Sequence, residues 1–210
     1  MSYFAKSTAT NRLSLFMWAF FAVVLLSTFG CKSDDAQPEQ AIETIEEQPI
    51  QKVDQDYKNM YQSGMHKVGQ DIPPGEYVLF ADDDGGYFSI NSTSKGTLDD
   101  IVSNDNFETN SIIVIKPGQY LELTDAFAVP IDEVKELDTS GEGMFKVGLH
   151  ISSGEYKLSA IQDESGYYAV YSTAEHSLDD IVANDNFENS TYVTVSDGQY
   201  LLLNDCKITK

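Results

Sequence analysis

Leu98-Asp-Asp-Ile-Val-Ser-Asn-Asp-Asn-Phe-Glu108 recurs in this chain as Leu178-Asp-Asp-Ile-Val-Ala-Asn-Asp-Asn-Phe-Glu188. Read locally, each stretch is a one-turn helix with its start and stop signals. Thr97 and Ser177 precede it and are good N-caps. Asp100 and Asp180, three residues on, give an acidic form of the capping box. Asp99 and Asp179 share that first turn, where the helix dipole favours negative charge. Leu98, Ile101 and Val102 stand at i, i+3 and i+4, a short apolar stripe for the core. Asn104 and Asn184 come where the turn must stop, and asparagine tolerates the left-handed backbone of a helix end. Asn-Asp-Asn is then the exit turn, and Phe107 and Phe187 pack back onto the core.

The same residues have the chemistry of a calcium site. Asp105, Asn106 and Glu108, with Asp185, Asn186 and Glu188, offer hard oxygen ligands. Their spacing is not that of an EF-hand loop, which needs alternating acids, a central glycine and a distal glutamate. A capped turn is the expectation, with bound Ca²⁺ as the alternative.

The duplication extends well beyond this stretch. Aligning Gly64–Asp125 with Gly143–Asp205, with Ile161 as one extra residue, gives 32 identities in 62 positions. A period of about 80 residues is too long for the usual solenoid units and suits a small domain. Gly-Glu-Tyr at Gly75–Tyr77 and Gly154–Tyr156 opens a strand after a turn made by Pro73-Pro74 or Ser152-Ser153. Further strands are expected at Gly86–Ile90, Ile112–Ile115 and Gln119–Leu123, matched by Gly166–Val170, Tyr192–Val195 and Gln199–Leu203. Lys116-Pro117-Gly118 and Ser196-Asp197-Gly198 have hairpin-turn chemistry, and Asp82-Asp83-Asp84-Gly85 reads as a hairpin loop. Period-two alternation puts Phe88, Ile90, Leu121 and Leu123 in the core, with Tyr168, Val170, Leu201 and Leu203. Tyr87, Tyr120, Tyr167 and Tyr200 then face the other way and are candidates for a face that binds glycan or peptide.

The fold class expected is all-β: two tandem small sandwich- or barrel-like domains, at residues 63–128 and 143–210, each with one short helical turn. Residues 129–142 read as an acidic linker. Units of this size bury limited apolar area, so the copies have reason to pack together.

The N-terminus reads as an export signal over residues 1–30. Lys6 and Arg12 precede an apolar run from Leu13 to Gly30. Cys31 follows at once and resembles the lipidated cysteine of the bacterial lipoprotein lipobox. That resemblance implies a membrane partner through a lipid on Cys31. An uncleaved anchor is the alternative. Residues 31–62, rich in Asp, Glu and Gln, read as a disordered spacer. Two of the 13 basic residues precede Cys31 and all 34 acidic ones follow it, so the exported part carries −23. Such a surface disfavours nucleic acid, whose phosphates need basic residues. Cys206 is left without a partner and reads as a small buried hydrophobe rather than a nucleophile.

His66, His150 and His176 align with Phe145, Asp71 and Gly96, so the copies share no histidine. With no glycine-rich phosphate loop and no shared triad, no enzyme is expected. Val-Gly-x-x-Ile-x-x-Gly-Glu-Tyr at Val68–Tyr77 and Val147–Tyr156, followed by Asn-Asp-Asn-Phe and Gly-Gln-Tyr-Leu, resembles a group of small secreted bacterial domains and lipoproteins. The resemblance implies envelope location and β architecture and brings no activity with it. The function expected is that of a lipid-anchored envelope protein binding an envelope protein or glycan. A calcium-stabilised structural protein is the alternative.

Overall fold

The computed structural model describes residues 57–161 and 165–209. The signal segment, Cys31 and the spacer up to residue 56 lie outside the described residues. The first copy has seven strands: β1 (Gly64–Lys67), β2 (Gly75–Ala81), β3 (Gly86–Asn91), β4 (Ile101–Phe107), β5 (Asn110–Ile115), β6 (Tyr120–Thr124) and β7 (Ala126–Pro130). The second repeats them as β8 (Gly143–Lys146), β9 (Gly154–Ala160), β10 (Ser165–Tyr171), β11 (Ile181–Glu188), β12 (Ser190–Val195), β13 (Tyr200–Asn204) and β14 (Cys206–Thr209). Each copy is an antiparallel sandwich. A four-stranded sheet, β1-β6-β3-β4 or β8-β13-β10-β11, faces a three-stranded one, β5-β2-β7 or β12-β9-β14.

The residues expected in the core are there. Phe88, Ile90, Leu121 and Leu123 are buried with Tyr77, Leu79, Ile113 and Ile115 between the sheets of the first copy. Tyr168, Val170, Leu201 and Leu203 are buried with Phe145, Leu158 and Val193 in the second. The shared motifs serve this scaffold. The tyrosine of Gly-Glu-Tyr donates its hydroxyl to the carbonyl four residues back, Tyr77 to Pro73 (2.8 Å) and Tyr156 to Ser152 (2.7 Å). The glutamine of Gly-Gln-Tyr accepts from the amide three residues earlier, at Lys116 and at Ser196, both at 2.7 Å. Gly86 and Gly166 let a phenylalanine close over the strand: a Cβ would lie 2.8 Å from the ring of Phe107 or Phe187.

A third cluster joins the copies. Val78, Phe80, Ile112 and Val129 project from the back of the first copy's three-stranded sheet. Met144, Ala169, Tyr171, Tyr200 and Leu202 project from the back of the second copy's four-stranded sheet and meet them. The four sheets therefore stack head to tail with three apolar layers between them. Burying an aromatic the size of Phe80 in such a layer stabilises by about 2–3 kcal/mol.

The short helical turn expected in each copy is present as a single 3-10 turn, Leu98–Asp100 and Leu178–Asp180, while several details differ from expectation. Ser177 caps its turn by accepting from the Asp179 amide at 3.2 Å. The Thr97 hydroxyl instead donates to the Asp100 carboxylate, at 2.5 Å. Asn104-Asp105-Asn106 is no exit turn. It lies inside β4, with Asn104 opposite Ser89 and Asp105 opposite Phe88. Ile101 to Phe107 fits period two as well as a helical stripe, and the free flank of β3 supplies backbone partners that one helical turn lacks. The Lys116-Pro117-Gly118 turn is not a hairpin: it carries the chain from β5 in one sheet to β6 in the other. The Asp82–Gly85 loop likewise crosses between sheets.

The 129–142 segment is docked rather than loose. Val129 and Pro130 end β7, a 3-10 turn spans Ile131–Glu133, and Val134 is fully buried. The last spacer residues pack as well. Tyr57 stacks on Phe80, and Tyr61 bonds to Ala128 through both backbone groups.

Candidate functional site

Strand β5 runs along the joint, and alternate residues on it meet the second copy. Asn110 donates its side-chain amide to the Met144 carbonyl (2.7 Å). His176 donates to the Ile112 carbonyl (3.0 Å), and the Val114 amide donates to the Ala174 carbonyl (3.1 Å). Lys116 pairs with Glu175 at 2.7 Å. On β2, Glu76 accepts from Lys146 (2.6 Å) and from the Tyr200 hydroxyl (2.7 Å). Burial, then this contact with Glu76, pushes the Tyr200 phenol well above its usual range.

The 172–177 loop of the second copy thus closes the open side of the first sandwich, between the edge strands β4 and β5. His176 is its plug. The residue has φ of 56°, where the first copy has Gly96 at 63°. Its ring is 5% exposed and lies edge-on to Phe88, 5.0 Å between centroids. A carbonyl can only accept, so Nε2 carries the proton. Nδ1 then faces Asp105, 3.7 Å from its carboxylate. Burial lowers the His176 pKa and raises that of Asp105, and the two groups partly offset each other's shift.

The first copy's proposed calcium ligands are split, with Asp105 turned away from the other two. Neighbours along a strand point to opposite faces, so Asp105 turns inward to His176 while Asn106 turns outward. Asn106 and Glu108 line a pocket of about 180 Å³ with Asp84, Tyr87 and Asp125. Asp185 and Asn186 alternate in the same way on β11, with Glu188 at its end. Among the described residues, no three acidic, histidine or cysteine side chains converge as a metal site would require.

The tyrosine face is also divided. Tyr87 and Tyr120 stay half-exposed on the first copy. Tyr200 is buried in the joint and Tyr167 packs against it, so copy-to-copy packing covers that face. Cys206 is fully buried and accompanies the Tyr167 carbonyl, its thiol pushed up to about 11 by burial. All three histidine rings bond to main-chain carbonyls: His66 to Gln62, His150 to Val134 and His176 to Ile112.

Several identities between the copies serve the scaffold, but one repeated pair of apolar side chains is turned to solvent. Leu98 and Val102, expected in the core, are 87% and 58% exposed. Leu178 and Val182 repeat this at 86% and 57%. The sequence reading missed this surface because it placed these side chains on a buried helical stripe. The turn followed by an edge strand swings them outward instead.

No curated protein matches the chain, and no solved structure does. A family model described as the Rv1352-like extracellular domain matches residues 138–207, one third of the chain. It is the second copy, β8 into β14, that is similar to this domain.

Proposed function

We propose that this is a lipid-anchored, extracytoplasmic, non-catalytic interaction module that offers its partner two equivalent apolar points. The observation that carries the reading is the doubled Leu–Val pair, identical in both copies and exposed to the same extent. Large aliphatic side chains held in water at two matched places mark a contact surface better than they serve folding. Aliphatic rather than aromatic groups suit a protein partner over a glycan. The apolar segment before Cys31 and the extracellular description of the matching family support an address outside the cytoplasm. The structural bonds of all three histidines support a non-catalytic role.

The test is photo-crosslinking in cells that export the full chain. A crosslinking residue at position 98 or at 178 should capture the same envelope protein, and one at the exposed Lys67 on β1 should not. Capture at neither position, or of unrelated proteins at each, overturns the reading. In the same cells, Cys31→Ser should move the chain out of the membrane fraction. Retention there would remove the lipid anchor from the reading.

A further inference from the structure

We propose that the open side of the second copy docks a bent loop of a partner protein that carries a histidine. The inference rests on the interaction-module reading and names the partner's chemistry. The first copy shows the same site filled. Its Val114 amide takes a carbonyl, its Ile112 carbonyl takes an imidazole N–H, Phe88 supports the ring and Asp105 faces the other ring nitrogen.

The second copy keeps each receiving group in the same register. Asp185 lies opposite Tyr168 as Asp105 lies opposite Phe88. Tyr192 and Thr194 pair with β9 as Ile112 and Val114 pair with β2. Along β11 and β12 these groups are open to water. Asp185, Tyr192 and Thr194 are exposed, and Ala183 is exposed where its counterpart Ser103 is buried. An unpaired strand edge offers main-chain groups to a docking loop, as Val114 and Ile112 do in the first copy.

The filled site also shows how the vacant one differs. Glu175 of the seated loop is matched by Lys116, and the second copy has Ser196 at that position. An acidic flank on the ligand would find no cation there. Tyr192, 62% exposed, offers a ring face to a basic one. The fitting occupant is a bent loop with a small residue, then a basic one, then a histidine in the left-handed conformation that His176 adopts.

A peptide copying residues 170–178 with Glu175→Lys serves as the probe, titrated into the ¹⁵N-labelled full chain in detergent. Amide shifts should gather on residues 183–185 and 192–194 at millimolar peptide or below. His176→Ala in the peptide should weaken binding by about threefold to tenfold, the range of one lost hydrogen bond. Asp185→Asn in the protein should leave binding unchanged or tighter, as Asp105→Asn is expected to do for the seated loop. Absence of shifts, shifts confined to the first copy, or an affinity indifferent to His176→Ala overturns the proposal. The amide spectrum of Asp185→Asn reports its own folding. The crosslinking at positions 98 and 178 stands or falls separately, so failure of one reading is not failure of the other.

Discussion

The two copies have the same strand order and bury opposite faces in their joint. On the three-stranded sheet, the first copy presents Val78, Phe80, Ile112 and Phe127 to its neighbour. The second has Lys157, Ser159, Tyr192 and Lys207 at those places and leaves that face to solvent. On the four-stranded sheet the pattern reverses. The second copy presents Ala169, Tyr171 and Leu202, where the first has Ser89, Asn91 and Glu122. Duplication set the scaffold, and a handful of outward residues chose which faces meet. The contact is heterologous, with unlike faces opposed, and such contacts can repeat without end. Polar residues on the two outer faces act as caps, as in the terminal units of repeat proteins.

The largest effect should come from giving one copy the other's residue at the joint. Leu202→Glu removes a buried side chain and buries a charge, at a cost of about 4 kcal/mol or more. Chemical denaturation followed by calorimetry should show the single transition splitting in two as the copies uncouple. A change of the same kind on the free outer face, Lys157→Val, should stay within about 0.5 kcal/mol of the parent, because Lys157 is exposed. Equal costs for the two substitutions would mean that the joint does not distinguish the copies.

A smaller effect concerns the contact between Asp105 and His176. The raised Asp105 pKa means that folding penalises its carboxylate form. Its favourable contribution exists below the unfolded value of about 3.9 and is lost as pH rises through the raised folded value. At neutral pH, Asp105→Asn should therefore stabilise, by no more than about 1 kcal/mol because the side chain is 40% exposed. His176 has the opposite sign. Its pKa is lowered, so its contribution is present above about 6.5 and lost as the imidazole charges below that. In the folded protein His176 charges only below its lowered pKa and Asp105 protonates from its raised one, so the gain from Asp105→Asn should shrink as the solution is acidified. Thermal melts of the parent and of Asp105→Asn across pH check this.

The smallest effect concerns the region where the copies are alike. Leu98→Ser and Leu178→Ser should each change stability by less than about 0.5 kcal/mol, because neither side chain is packed. A loss of 2 kcal/mol or more, on the scale of core truncations, would place them in the core after all.

Much of this molecule was legible in its residues because the signals were local. Alternation at Phe88 and Ile90 and at Leu121 and Leu123 named core side chains correctly. The turn residues before Gly75 and Gly154 located two strand starts. Strands β1, β4 and β7 escaped, as did their second-copy partners. β1 is only four residues long, and β4 carries a pattern that suits either a turn or an edge strand. The joint had a signal that identity counting overlooks. It lies in the positions where the copies differ, such as Val78 against Lys157 and Glu122 against Leu202. The Asp105–His176 contact had none: Asp105 belongs to the shared motif, but His176 lies in the other copy and aligns with Gly96.

Sequence by itself determined that this chain is built from one β unit used twice, because strand periodicity and turn chemistry act over a few residues. Only the tertiary structure decided which faces meet, which strand edge is covered, and that Leu98 and Leu178 point to water. Those outcomes depend on where strand partners lie, and a partner far along the chain leaves no mark on the local pattern.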